Sequence, residues 1–123
     1  MREHQRAVGK AGEEAAVQYL LQRGYCILER NYRCRFGEID LIARDGKTLA
    51  FIEVKTRRSR RFGPAASAVT FEKQRHLIRA SQIYLSQRGK ADDLCRFDVV
   101  TIDLNAHGLS IELIKDAFQL PAG

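Results

Sequence analysis

Glu38, Asp40, Glu53 and Lys55 lie in two neighbouring stretches, GEIDLIARDG at 37–46 and LAFIEVKTRRSRR at 49–61. Read as strand, turn and strand, these stretches bring three acids and a lysine onto one hairpin. Carboxylates that share a sheet face repel one another unless a proton or a cation lies between them. A hard divalent ion such as Mg²⁺ or Mn²⁺ suits that role, because it needs only one or two protein carboxylates and leaves positions for water and phosphate oxygens. Lys55, two residues after Glu53, is placed to orient a water or to meet developing negative charge. The chemistry suggested is hydrolysis of a phosphodiester. A solvated, half-polar strand face with a simple Glu–Lys pair satisfies the same spacing.

The clustering depends on the parity of the hairpin. Asp45-Gly46 is a two-residue turn signal, since both residue types tolerate the positive φ of a type I′ turn. Such a turn sets Arg44 opposite Lys47, Asp40 opposite Phe51 and Glu38 opposite Glu53. Side chains alternate along a strand. One face is then Ile39, Leu41, Ala43, Ala50, Ile52 and Val54, and the other carries Glu38, Asp40, Glu53 and Lys55 with Ile42, Leu49 and Phe51. An odd loop would separate Asp40 from Glu53.

Directly after the second strand, residues 55–61 hold five cations in seven positions: Lys55, Arg57, Arg58, Arg60 and Arg61. Arginine forks match phosphate oxygens, so this strip suits a nucleic-acid backbone. A solvated loop, an acidic membrane or an acidic protein partner would also suit it. The whole chain has a formal charge of +6 and a pI near 9.5.

The elements that must position these groups follow from periodicity. Residues 7–23 read as a helix, with Val8, Gly12, Ala15, Ala16, Tyr19 and Leu20 at helical spacing and Gly24 as its stop. Glu13 lies beside that stripe, either as a boundary residue or reaching into a site. A first strand covers 25–33. Thr70 caps a second helix over about 71–88, whose inner face is Leu77, Ala80, Ser81, Tyr84 and Leu85. Lys73, Arg75, His76 and Arg79 lie elsewhere on it and extend the basic surface. Strands at 95–104 and 109–115 complete the order αβββαββ, an α/β fold with a mixed sheet flanked by helices. Asp98 is expected to pair with Arg96, and Phe62 to anchor its loop.

With 123 residues, 45% hydrophobic and 29% charged, the chain is expected to form a single domain over 1–123. No apolar run approaches the ~20 residues of a membrane helix, and MREHQRAVGK has no signal-peptide core, so a cytoplasmic location without membrane contact is expected. Cys26, Cys34 and Cys95 read as reduced thiols, and the three histidines are too scattered for a zinc site.

The combination of G-x-x-G-E-x-x-A-x-x-Y-L at Gly9 to Leu20, GEIDLIARDG, FIEVKTRR and RFDVV at 96–100 resembles the YraN-like family of small bacterial proteins. That family is similar to Holliday-junction resolvases and, more distantly, to restriction-endonuclease-like enzymes with a D…(D/E)-x-K site. The resemblance implies that Asp40 and Glu53, with the Val54 carbonyl, hold Mg²⁺ or Mn²⁺. It implies that Lys55 is the lysine of the motif and that Glu13 is the first-helix glutamate that ligates metal or orders water. Arg57, Arg58, Arg60, Arg61 and Lys73 are then the phosphate contacts. Ile39 stands where the wider motif often has proline, and Glu38 has no counterpart there. The implied function is metal-dependent hydrolysis of DNA with structure preference, acting as a homodimer or with a DNA-processing partner. A non-catalytic nucleic-acid-binding protein and a protein that docks an acidic partner are the competing readings.

Overall fold

The central strands carry apolar side chains on both faces, so a cover on one side alone would leave half of them wet. The computed structural model describes residues 2–57, 69–89, 94–105 and 107–119, with side chains from Gly9 onward. Helix α1 (Arg2–Gln22) is followed by β1 (Cys26–Cys34), β2 (Gly37–Asp45) and β3 (Thr48–Arg57). Helix α2 (Phe71–Gln87), β4 (Cys95–Asn105) and β5 (Gly108–Phe118) follow, giving the expected order αβββαββ. The five strands form one mixed sheet in sequential order, with β3 and β4 parallel and every other pair antiparallel. A parallel pair needs a crossover, and α2 lies within it.

Helix α1 covers one face, where Ala16, Val17 and Leu20 meet Leu41, Ala43, Ala50, Ile52, Val100 and Ile102. Small residues permit this approach: a Cβ at Gly12 would collide with the Thr56 hydroxyl. Helix α2 covers the other face, packing Leu77, Ala80 and Tyr84 on Ile42, Leu49, Phe51, Phe97 and Val99. Its N-cap is Thr70, whose hydroxyl accepts from the Lys73 N–H at 3.2 Å. No helix among the described residues is long and apolar enough to cross a membrane.

The hairpin register differs from the expected one. Asp45 pairs with Thr48, Arg44 with Leu49 and Ile42 with Phe51, so the turn is Gly46-Lys47. Only Gly46 takes positive φ there (63°), which fits a type II′ turn with glycine at its first central position. Asp45 stays in the strand because its carboxylate is held by Arg96 at 2.8 Å and Lys115 at 3.1 Å. The shift of two residues preserves parity.

Alternation itself fails at one point. Ile39 packs on the α2 side while Leu41, two residues on, packs on the α1 side. The expected common face of Ile39, Leu41 and Ala43 is therefore broken at Asp40. Opposite Asp40 in the β1 register stands Asn31, between the pairs Arg30–Leu41 and Tyr32–Ile39. Asn31 has a left-handed φ of 56°, a conformation that asparagine tolerates better than most residues.

At the far end of the hairpin, fully buried Asp98 accepts hydrogen bonds from Arg96 Nε (2.8 Å), the Asp116 N–H (2.9 Å) and the Tyr25 hydroxyl (3.2 Å). The expected Arg96–Asp98 pair is thus the centre of a larger network that also includes Asp45. A buried carboxylate satisfied this completely rigidifies its surroundings. It ties the turn end of the hairpin to β4, β5 and Tyr25, the residue before β1.

Candidate metal centre

The β2–β3 ladder ends at the pair Leu41–Ile52, although β2 begins at Gly37 and β3 runs on to Arg57. Continued by one step, the register sets Asp40 opposite Glu53. The Val54 N–H, which points toward β2, donates to Asp40 Oδ2 at 2.8 Å. Asp40 thereby satisfies a backbone donor that the opened ladder would otherwise leave bare.

The Asp40 carboxylate lies close enough to Glu53 for its charge to act on the Glu53 carboxyl. Burial pushes Glu53 up to about 8, and the charge of Asp40 pushes the same way, while Lys73 and Lys55 pull against them. Asp40 is raised as well, chiefly by burial, with the Val54 N–H opposing. Two buried carboxyls this close hold a proton between them unless a cation replaces it. Glu53 Oε2 is buried without a hydrogen-bond partner. On β4, Thr101 stands beside Lys55, and its buried hydroxyl also lacks a partner.

A cavity of about 370 Å³ is lined by Asp40, Val54, Lys55, Glu13, Glu38 and Asn31, together with Gly9, Lys10 and Thr56. Glu13 comes from α1, and its Oε1 accepts from Asn31 Nδ2 at 2.9 Å, with Arg30 Nε at 3.8 Å. Four sequence-derived candidates, Asp40, Val54, Lys55 and Glu13, therefore meet on one cavity, while Glu53 does not line it and lies next to Asp40 and Lys73. Glu38 also lines it and lies 3.8 Å from Arg33.

Among the described residues, no group of three or more His, Cys, Asp or Glu side chains is placed to hold a metal ion. The donor set would suit an oxygen-seeking ion bound in part by water: Asp40 faces the cavity, and the neighbouring Glu53 has a buried oxygen without a partner.

Two of the expected phosphate contacts have acidic partners within the fold. Arg57 neighbours Asp103 across the parallel β3–β4 pair and grips it through Nε at 2.8 Å and a second nitrogen at 3.2 Å. Its side chain is 9% exposed, so this guanidinium is an internal brace and not part of the basic surface. Lys73 Nζ lies 3.8 Å from Glu53 Oε1, so Lys73 is a cation of the site itself. Arg58, Arg60, Arg61 and Phe62 lie outside the described residues. Asn31 escaped sequence reasoning because a lone polar residue in an alternating strand carries no signal. Its left-handed backbone exists only once β1 is paired.

The family model described as "Uncharacterised protein family UPF0102" matches residues 12–102. A UPF0102 protein of Syntrophus aciditrophicus is 52% identical over 115 residues, covering 94% of this chain and 91% of the relative. One from Caldicellulosiruptor saccharolyticus is 46% identical, covering 94% and 99%. One from Geobacter metallireducens is 48% identical, covering 95% and 96%. The chain belongs to the uncharacterised protein family UPF0102.

Proposed function

We propose that this protein is a divalent-metal-dependent nuclease that hydrolyses phosphodiester bonds in DNA. The placement of Asp40 at the open end of the β2–β3 hairpin, held by the Val54 N–H with Glu53 next in register, carries this reading. The unpartnered oxygen of that glutamate supports it, as does Lys55 on the same cavity as Asp40. The resemblance to D…(D/E)-x-K enzymes adds to it.

Asp40 and Glu53 would hold Mg²⁺ or Mn²⁺, with the Val54 carbonyl as a further oxygen ligand. When bound, such an ion lowers the pKa of a coordinated water and neutralises charge on the phosphate. Lys55, exposed at the rim, donates to a phosphate oxygen or holds the attacking water in line. Glu13, oriented by Asn31, accepts a proton from an ordered water. Lys73 balances the carboxylate pair while it is metal-free.

Incubating the protein with branched, single-stranded and duplex DNA plus Mn²⁺ tests the reading. Nicking that disappears with EDTA and in Asp40→Ala is expected; equal nicking by Asp40→Ala would refute it. One observation favours a binding protein without cleavage: the Lys73 ammonium already stands beside Glu53 as a counter-ion. On that reading DNA binding is salt-sensitive, indifferent to EDTA, and never followed by a cut.

A further inference from the structure

The outer side of α2 and the turn joining β1 to β2 enclose a groove unused by the site above. Its two halves, cavities of about 400 and 470 Å³, share Ile83 and Gln87 in their linings. Phe36 from the turn and Arg79 from α2 line the first half, and Arg35 lines the second. The guanidinium carbons of Arg35 and Arg79 lie 4.9 and 5.5 Å from the centroid of the same Phe36 ring. Each contact is a cation–π attraction, yet together they draw two like charges onto one ring. Both arginines are exposed. Neither has a carboxylate within ion-pair distance among the described residues.

Two uncompensated guanidiniums call for an anion with more than one charged oxygen. The Phe36 ring and Ile83 call for something flat and apolar between those anions. An unstacked nucleotide offers both: a base face and flanking phosphates. A duplex offers the phosphates but keeps its base faces covered.

We infer that this groove holds a single-stranded nucleic-acid segment, with Phe36 stacking on a base and Arg35 and Arg79 on the adjoining phosphates. The inference rests on the nucleic-acid substrate proposed above and adds its form, a strand already unpaired. The groove is reached from the metal centre along the same α2, whose first turn carries Lys73 beside Glu53.

The chain contains no tryptophan, so Phe36→Trp provides a single fluorescent reporter. In EDTA, where no cutting can occur, a 12-mer of deoxythymidine should quench that fluorescence at a concentration where duplex of equal length does not. Phe36→Ala should weaken binding of the 12-mer roughly ten-fold and change duplex affinity less than two-fold. Arg35→Gln and Arg79→Gln should each lower the salt slope of 12-mer binding by about one. Circular dichroism of each variant confirms folding. An unchanged 12-mer affinity in Phe36→Ala, equal losses on both DNA forms, or equal quenching by poly-glutamate would overturn the groove assignment. All these arms run without metal and with Asp40 intact. Loss of the groove would leave Mn²⁺-dependent nicking standing, and absence of nicking would leave the groove standing.

Discussion

The Val54 N–H donates to Asp40 Oδ2 at 2.8 Å, so a side chain takes the place of a ladder acceptor where β2 and β3 part. One carboxylate oxygen is thereby committed to the backbone. The carboxyl group is fixed in orientation on the cavity wall. Were Asp40 to ligate a metal ion, a carboxylate held this way would require little ordering when the ion arrives, which is the physical content of a preorganised site.

Metal binding should be visible as stability. Binding to the folded state alone raises the melting temperature by mass action. At pH 8, millimolar Mn²⁺ should raise the melting temperature of the wild type by several degrees. Asp40→Asn and Glu53→Gln should each lose most of that rise. Differential scanning fluorimetry with and without EDTA measures it, and an equal rise in all three proteins would refute metal binding at this pair.

The metal-free protein should lose stability as pH rises. Glu53 is pushed up to about 8 in the folded state, against about 4.3 for an unperturbed glutamate. A raised folded pKa contributes stability that is fully present below the unfolded value and lost as pH climbs through the folded one. The melting temperature in EDTA should therefore fall between about pH 4.5 and 8, and Glu53→Gln should flatten that fall. A wild-type profile flat over this window would contradict the burial of the pair.

Lys55 should matter to the chemistry more than to the fold. It is exposed at the cavity rim, so Lys55→Ala should leave the melting temperature within about 2 °C. Removing one preorganised donor from a charged transition state costs on the order of a hundred-fold or more in rate. Single-turnover nicking assays in Mn²⁺ measure the loss. Nicking within three-fold of wild type would remove Lys55 from the mechanism.

Arg57→Ala should be a stability variant. It removes the guanidinium that grips Asp103, which is 4% exposed, and breaking a buried pair by removing one partner costs about 3 kcal/mol. Urea unfolding should show that loss, with Arg57→Ala/Asp103→Ala recovering part of it. Duplex affinity per folded molecule should stay within two-fold. An unchanged unfolding midpoint together with a ten-fold weaker affinity would restore Arg57 to the binding surface.

Asn31 separates backbone strain from side-chain function. Asn31→Gly suits the left-handed φ of 56° but removes the amide that holds Glu13. It should keep or raise stability while lowering nicking. Asn31→Ala should lower both, since alanine does not favour that φ. Nicking by Asn31→Gly equal to wild type would show that the Glu13 contact serves folding alone.

The elements of the fold were legible in the sequence because each depends on local physics. Helical spacing in 7–23 and 71–88, the Thr70 cap and the extended runs at 95–104 and 109–115 needed only nearest neighbours to be read. Asp40, Glu53 and Lys55 stood out because charged residues in strand-like runs call for a partner. The exact turn was not legible. Asp45-Gly46 and Gly46-Lys47 are both good local turns, and the choice was made by Arg96 and Lys115, which hold the Asp45 carboxylate from distant strands.

Tertiary structure alone decided where each cation goes. Arg57 and Lys73 look like surface charges in a one-dimensional reading, and long side chains reach whatever acid the packing brings near. Parallel β3–β4 pairing brought Asp103 to Arg57, and the seating of α2 brought Glu53 to Lys73. The same packing forced the break in alternation at Asp40 and the left-handed Asn31 opposite it. Residue type and local spacing were enough to single out Asp40, Glu53 and Lys55. The meeting of Asp40, Lys55 and Glu13 in one cavity followed from the sheet order and from two helices covering opposite faces, contacts that no local pattern encodes.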